Sequence, residues 1–393
     1  MDYSNILSKK SQNLKPSGIR KYFDLLGGMR DVVNLTVGQP DFATPWHIRD
    51  EAIQTIKDGK TYYTSNSGLI ELRREICRYL ERRFSIGYDP ADECVVTIGG
   101  SEAIDLTFRA LVNEGDEVVV VNPSFVCYEP LAVMAGAKVV EVETYQEDEF
   151  KLTASALRRV ITPKTKLLVL PFPNNPTGAI MDKTDLEAIA DVIRGTNIMV
   201  LSDEIYAELT YGVKHTSFAS LDGMRERTIT VSGFSKAYAM TGWRIGYVCA
   251  PREIIVEILK LHQFGIMCAS SPSQYAAIKA LRDGDGDIEY MAEQYNERRR
   301  LILGGLRSIG MECFEPRGAF YAFPNLKKYG MTSEVFCERL LYEQKVAIVP
   351  GTAFGACGEG FARISYAYSV MHIQQGLDEM GRFAEKLSRE KNS

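Results

Sequence analysis

Histidine is scarce in this chain, with four in 393 residues, and none of the eight cysteines forms a Cys-x-x-C pair. The histidines stand far apart, and Cys77, Cys94, Cys127, Cys249, Cys268, Cys313, Cys337 and Cys357 are scattered. Neither set has the short ligand spacing of a zinc centre, so no metal is expected. Scattered thiols in a chain of this size fit a reducing compartment, the cytoplasm, better than a disulfide scaffold. Blocks of like charge are also missing and the net charge is −5, which argues against nucleic acid as a partner. No apolar run approaches the ~20 residues of a membrane span. The opening Met1-Asp-Tyr-Ser has neither a basic nor an apolar leader region, so no membrane or secretory role is expected. Internal repeats, low-complexity tracts and Pro/Gly-rich linkers are absent as well.

What is present is ordinary globular usage, 45% hydrophobic and 25% charged, with ample length for a large core. Short β-branched runs at 94–98, 117–121, 138–142, 166–170, 198–201, 228–231 and 245–249 alternate with helical patterns. Several are continuously apolar, which predicts a mostly parallel seven-stranded sheet covered on both faces, an α/β architecture. A helix is predicted to begin after Gly99-Gly100-Ser101, with Ile104, Phe108 and Leu111 on one face and a C-cap near Gly115. Another is predicted over 185–194. Past about residue 290 the pattern changes. A charged helix over 290–306, an alternating stretch at 318–323, a helix over 333–343, short strands at 346–349 and 361–365, and a final amphipathic helix over 371–387 read as a smaller α+β unit.

The segment 232–247, Ser-Gly-Phe-Ser-Lys-Ala-Tyr-Ala-Met-Thr-Gly-Trp-Arg-Ile-Gly-Tyr, places Lys236 among small and apolar neighbours, with Arg244 between Gly242 and Gly246. Poor solvation favours the neutral, nucleophilic amine. Taken alone, Lys236 reads more readily as a surface lysine, as most lysines are. Beside a fixed cation and a glycine-lined bend, it suits a Schiff base to a phosphorylated aldehyde, pyridoxal 5'-phosphate. Four further features accompany it. Gly99-Gly100-Ser101 lies between a strand and a helix, where glycines and helix N–H groups cradle phosphate, although a Gly-Gly step is also a plain turn. Asn174-Asn175-Pro176-Thr177-Gly178 is either a loop or a hydrogen-bond donor to the cofactor through Asn175. Asp203, at a buried strand end with Tyr206 three residues on, is either a helix N-cap or the partner of a pyridinium N–H that keeps the ring an electron sink. Arg363, inside the apolar run Phe361-Ala-Arg-Ile-Ser365, pairs with either a substrate carboxylate or an internal acid. The residues leave each choice open.

Gly38-Gln-Pro-Asp-Phe42, Tyr63, Gly99-Gly-Ser101, Asn175-Pro-Thr-Gly178, Asp203-Glu-Ile-Tyr206, Ser235-Lys236, Arg244 and Arg363 together make the chain resemble the class I and II aminotransferases, pyridoxal-phosphate enzymes of fold type I. The resemblance covers essentially the whole chain. It implies a large cofactor-binding domain over 46–289 and a small domain made of 1–45 and 290–393. It implies Lys236 as the Schiff-base lysine and proton shuttle and Asp203 on the pyridine nitrogen. Tyr206 and Asn175 would hold the phenolate oxygen, and Phe125 would stack on the ring. Arg244, Gly100 and Ser101 would bind the phosphate, and Gly99 and Ser235 would also contact the cofactor. Gly38, Phe125, Asn175 and Arg363 would receive the substrate. The residue matching Tyr63 reaches a neighbouring subunit's phosphate in this family, which implies a homodimer.

Two departures stand out. Gly233 occupies a position where the family often has serine, and Ser101 one where some aspartate-selective relatives carry lysine. Segments 35–42, 201–211, 262–263 and 268–271 are most similar to the N-acetyl-LL-diaminopimelate aminotransferases of bacterial lysine synthesis, with aromatic aminotransferases nearly as similar. The expected reaction moves an amino group between an L-amino acid and a 2-oxo acid, glutamate and 2-oxoglutarate being one pair. Aspartate or aromatic aminotransferase, carbon–sulfur β-lyase, a cofactor-sensing regulator and a plain α/β interaction domain are the rival readings.

Overall fold

The computed structural model describes residues 1, 3–14, 16, 18 and 27–392. Its strands, in chain order, are β1 (Val33–Asn34), β2 (Cys94–Thr97), β3 (Glu117–Asn122), β4 (Lys138–Glu143), β5 (Thr165–Leu170), β6 (Met199–Asp203), β7 (Thr228–Gly233), β8 (Gly246–Cys249), β9 (Tyr321–Ala322), β10 (Val346–Ala347), β11 (Val349–Pro350) and β12 (Ala362–Ser365). Seven of them form one sheet in the order β2-β8-β7-β6-β5-β3-β4. All neighbours are parallel except those of β8, which runs antiparallel between β2 and β7. Central strands such as β3, with Val118–Val121 fully buried, are apolar on both faces because helices cover both. At the edge, β4 carries exposed Lys138, Glu141 and Glu143, charges that block pairing with another strand.

The chain winds outward from β3 to β4 on one side and from β5 toward β7 on the other. This reversal opens a crevice beyond the C-terminal ends of β3 and β5, the usual ligand position in an open α/β sheet.

Two smaller sheets complete the fold. β11-β12-β9 is antiparallel, and β1 pairs in parallel with β10, tying the N-terminal stretch to the C-terminal region. Val33 and Leu35 share an apolar core with Ile302, Leu340, Ile364 and Leu377, and Tyr206, Leu209 and Tyr211 from the loop after β6 enter the same core.

Several expected boundaries move. The helix after Gly99 spans Gly100–Leu111 and stops on extended Val112; Gly115 instead turns the chain into β3 at φ 84°. The expected 185–194 helix starts earlier, Lys183–Ile193, because Asp182 and Asp185 form a reciprocal capping box. The charged helix is Asp285–Ser308, its first turn holding Asp285 and Asp287 against the positive end of the dipole. The final helix runs Val370–Asn392. Of the 318–323 stretch only Tyr321–Ala322 pairs as a strand, and 319–323 are all buried rather than alternating. The amide of Ala319 is drawn to the carbonyl of Leu209, which holds the residue at φ 55° and bends the segment away from a ladder.

Candidate active site

Lys236 follows β7 and lines a cavity of about 350 Å³ at the crevice. Its Nζ donates to the carbonyl of Gly38 at 2.6 Å and lies 5.7 Å from the ring centres of Tyr206 and Phe320. Burial, then the nearby cations Arg363 and Arg244, push its pKa down to about 8.

Asp203 closes β6 and is buried. Oδ2 accepts from the Tyr128 hydroxyl at 2.7 Å and Oδ1 from the amide of Ile205 at 3.1 Å. No helix begins there, so the N-cap alternative fails. Burial pushes the carboxyl above its ordinary pKa, and the two hydrogen bonds oppose that shift.

Arg363 sits inside β12 at 2% exposure. Nη1 donates to Asn175 Oδ1 at 2.9 Å and Nη2 to the carbonyl of Thr36 at 2.5 Å. Its guanidinium lies 4.7 Å from the ring centres of both Tyr321 and Phe354. Among the described residues no carboxylate pairs with it, and its buried Nε has no partner. The internal-acid alternative thus finds no partner among the described residues. A buried cation without a counter-ion is costly, and here it borders the same cavity as Lys236. With Asn175 Oδ1 occupied by Arg363, the amide NH2 is the end left to donate.

The third wall is a glycine cradle at the N-terminus of Gly100–Leu111. A Cβ on Gly99 (φ 74°) would lie 2.6 Å from Arg244 Nη2, and one on Gly246 would lie 2.7 Å from the Gly99 carbonyl carbon. Only glycine lets the strands, the helix start and the guanidinium approach this closely. The same packing accounts for Gly233, where a Cβ would meet Gly246 Cα at 3.0 Å. Gly100, Ser101, Phe125, Ser235, Tyr206 and Gly38 also line the cavity. Tyr63 does not; it is 79% exposed.

Tyr128 and Tyr321 were not anticipated. Tyr128 opens the helix Tyr128–Ala135 three residues beyond Phe125, whose ring it meets edge to face, a proximity in sequence that could have drawn attention to it. Tyr321, whose hydroxyl lies 2.7 Å from that of Tyr206, reads in sequence as one more core aromatic.

A lysine of lowered pKa, a buried carboxylate and a cationic glycine cradle share one cavity, and the family model for aminotransferases of class I and II matches residues 30–379. The chain belongs to that family. The aminotransferase is 45% identical to an aspartate aminotransferase of Pyrococcus abyssi, over 98% of this chain and 99% of that protein. It is 43% identical to the "Probable N-acetyl-LL-diaminopimelate aminotransferase" of Bacillus subtilis, over 97% and 96%. An aromatic aminotransferase from Pyrococcus horikoshii superposes with a TM-score of 0.89 at 42% identity, over 94% and 99%. Members of the family use pyridoxal 5'-phosphate, and the aminotransferase is such an enzyme, of fold type I. The cavity fits the cofactor chemically. A pyridinium N–H needs a buried carboxylate, a phosphate needs helix N–H groups and a cation, and an aldehyde needs a neutral amine.

Proposed function

We propose that this aminotransferase uses N-acetyl-LL-diaminopimelate and 2-oxoglutarate, with glutamate as the return product or donor, in bacterial lysine synthesis. The likeness of segments 35–42, 201–211, 262–263 and 268–271 supports it, as does the Bacillus subtilis relative. Ser101 in place of lysine argues against aspartate, although the Pyrococcus abyssi relative bears that name. An aromatic donor is the second reading, favoured by the apolar residues Val37, Ile104, Phe125 and Ile205 in the cavity lining.

The observation that carries the site assignment is Arg363, a buried guanidinium with no carboxylate partner among the described residues, lining the same cavity as the amine of Lys236. In this reading Arg363, with Asn175 and the backbone of Gly38, holds the donor's α-carboxylate. Gly99, Gly100, Ser101, Ser235 and Arg244 hold the phosphate, Phe125 packs on the ring, and Tyr206 and Asn175 donate to its oxygen. Asp203 keeps the ring nitrogen protonated. The bound cofactor supplies an electron sink for the pair left on the α-carbon. Lys236 Nζ, neutral above about pH 8, is nucleophile first; once displaced, it takes the donor's α-proton as general base and later returns it as acid.

In the same reading the chain is cytoplasmic, in keeping with its free thiols. It divides into 46–289 and 1–45 with 290–393. It pairs as a homodimer in which Tyr63 reaches the partner, supported by exposed Tyr62, Tyr63 and, at 87%, Phe264. No described helix is long and apolar enough to cross a membrane.

A substrate panel tests the reading. Each amino acid is mixed with cofactor-loaded enzyme and loss of the cofactor's visible absorbance is timed. Fast reactions with glutamate and N-acetyl-LL-diaminopimelate and slow ones with phenylalanine and tyrosine are expected; the reverse ranking replaces it with an aromatic aminotransferase.

A further inference from the structure

Tyr321 has no part in the reading above, yet it touches three of its members. β9 carries its ring, fully buried, into the gap between them. Its hydroxyl lies 2.7 Å from that of Tyr206, and the two rings meet edge to face with centres 5.9 Å apart at 77°. Its π face lies 4.7 Å from the Arg363 guanidinium carbon. A Cβ on Gly38 would fall 2.3 Å from its hydroxyl oxygen. The short segment whose carbonyls receive Lys236 and Arg363 thus closes directly onto this side chain.

We infer that Tyr321 is a positioning residue that joins the cofactor side of the site to the substrate side, its hydroxyl acting through Tyr206 and its ring face through Arg363. This rests on the roles read above for Tyr206 and Arg363. A tyrosine hydroxyl has one proton. If Tyr206 gives its proton to the cofactor oxygen, only lone pairs face Tyr321, so Tyr321 is the donor between them. Donation into the Tyr206 oxygen polarises the chain and strengthens the onward bond. On the other side, an aromatic face steadies a buried guanidinium without supplying an anion. A carboxylate there would compete with the incoming substrate; the ring leaves the cation available.

The test compares cofactor-loaded Y321F, Y206F, Y206F/Y321F and Y321L enzymes. The first readout is the pH midpoint at which the bound cofactor's visible absorbance changes. The charged neighbours Lys236, Asp203, Arg363 and Arg244 remain in every variant, so the midpoint reports the altered hydroxyl. Y206F should raise it, because a donor to the cofactor oxygen is lost. Y321F should raise it by a smaller amount, and adding Y321F to Y206F should raise it no further, since Tyr321 acts through Tyr206. The second readout is KM. Y321L should raise KM roughly 3- to 10-fold over Y321F, equally for glutamate and aromatic donors, because the α-carboxylate is common to all. Y321M, of similar reach, replaces Y321L if the latter does not fold. A shift in Y206F with none in Y321F overturns the hydroxyl role, and equal KM values for Y321F and the leucine or methionine variant overturn the ring role. No shift in Y206F itself removes the reading of Tyr206, and the inference with it.

Discussion

Lys236 Nζ and the carbonyl oxygen of Gly38 stand 2.6 Å apart although 198 positions separate them in the chain. Two residues earlier, the carbonyl of Thr36 accepts from Arg363. One short segment therefore binds two of the cavity's three basic side chains, Arg244 being the third, and it is anchored at its other end by the pairing of Val33–Asn34 with Val346–Ala347. The reactive amine and the unpaired guanidinium are placed against the same backbone, which sets their separation.

In the proposed mechanism Lys236→Ala removes both nucleophile and base. Turnover should fall by at least about 10³-fold, while the far-ultraviolet circular dichroism stays that of the parent. Substantial remaining transamination would sink the assignment of Lys236.

The lowered pKa of Lys236 makes its reactivity depend on pH in a defined window. The neutral amine attacks, so the rate at which cofactor-free protein captures pyridoxal phosphate should rise with pH and level off above about 8. An ordinary lysine would keep accelerating toward 10.5. The stability sign follows from the same shift. Between about 8 and 10.5 the unfolded chain holds this proton and the folded chain does not, so the contribution to stability increases as pH rises. Stopped-flow absorbance of the capture step checks the first point.

Tyr128→Phe leaves Asp203 with only the Ile205 amide as donor. A hydrogen bond to a charged group contributes about 1.5–3 kcal/mol, so the dissociation constant for the cofactor should increase roughly tenfold or more. The Asp203 carboxyl should also become easier to protonate, because one of the two hydrogen bonds that lower its pKa is gone. Equilibrium fluorescence titration of the variant decides this; an unchanged constant would mean that the backbone amide alone holds Asp203.

Gly246→Ala puts a Cβ 2.7 Å from the Gly99 carbonyl carbon and 2.8 Å from the Gly100 amide nitrogen. These are backbone atoms and cannot swing aside. A loss of about 1–3 kcal/mol in urea unfolding is expected, together with weaker cofactor retention. Gly304→Ala is the control. It lies exposed in the helix Asp285–Ser308 with nothing within 4 Å of the added carbon, and it should gain up to about 1 kcal/mol.

Much of the fold was legible because its signals are local. Continuous apolar runs such as Val118–Val121 mark strands covered on both faces, and the Ser235-Lys236 motif lies within one stretch of chain. What local pattern misplaced were ends governed by partners elsewhere. Gly115 had the right residue type for a C-cap, but the helix had already stopped at Leu111. The stretch 318–323 looked like a strand until the loop at Leu209 captured Ala319.

The sequence by itself determined the class of the sheet, the family, and the residue types of the reactive centre, because these are written in short runs with fixed spacing. Only the tertiary structure decided that Arg363 meets an amide, a carbonyl and two rings rather than an acid, that Tyr128 supports Asp203, and that Tyr321 stands between Tyr206 and Arg363. The physical reason is range. Each of these contacts joins residues far apart in the chain, and a buried charge or hydroxyl takes whichever partner the packing brings within about 3 Å.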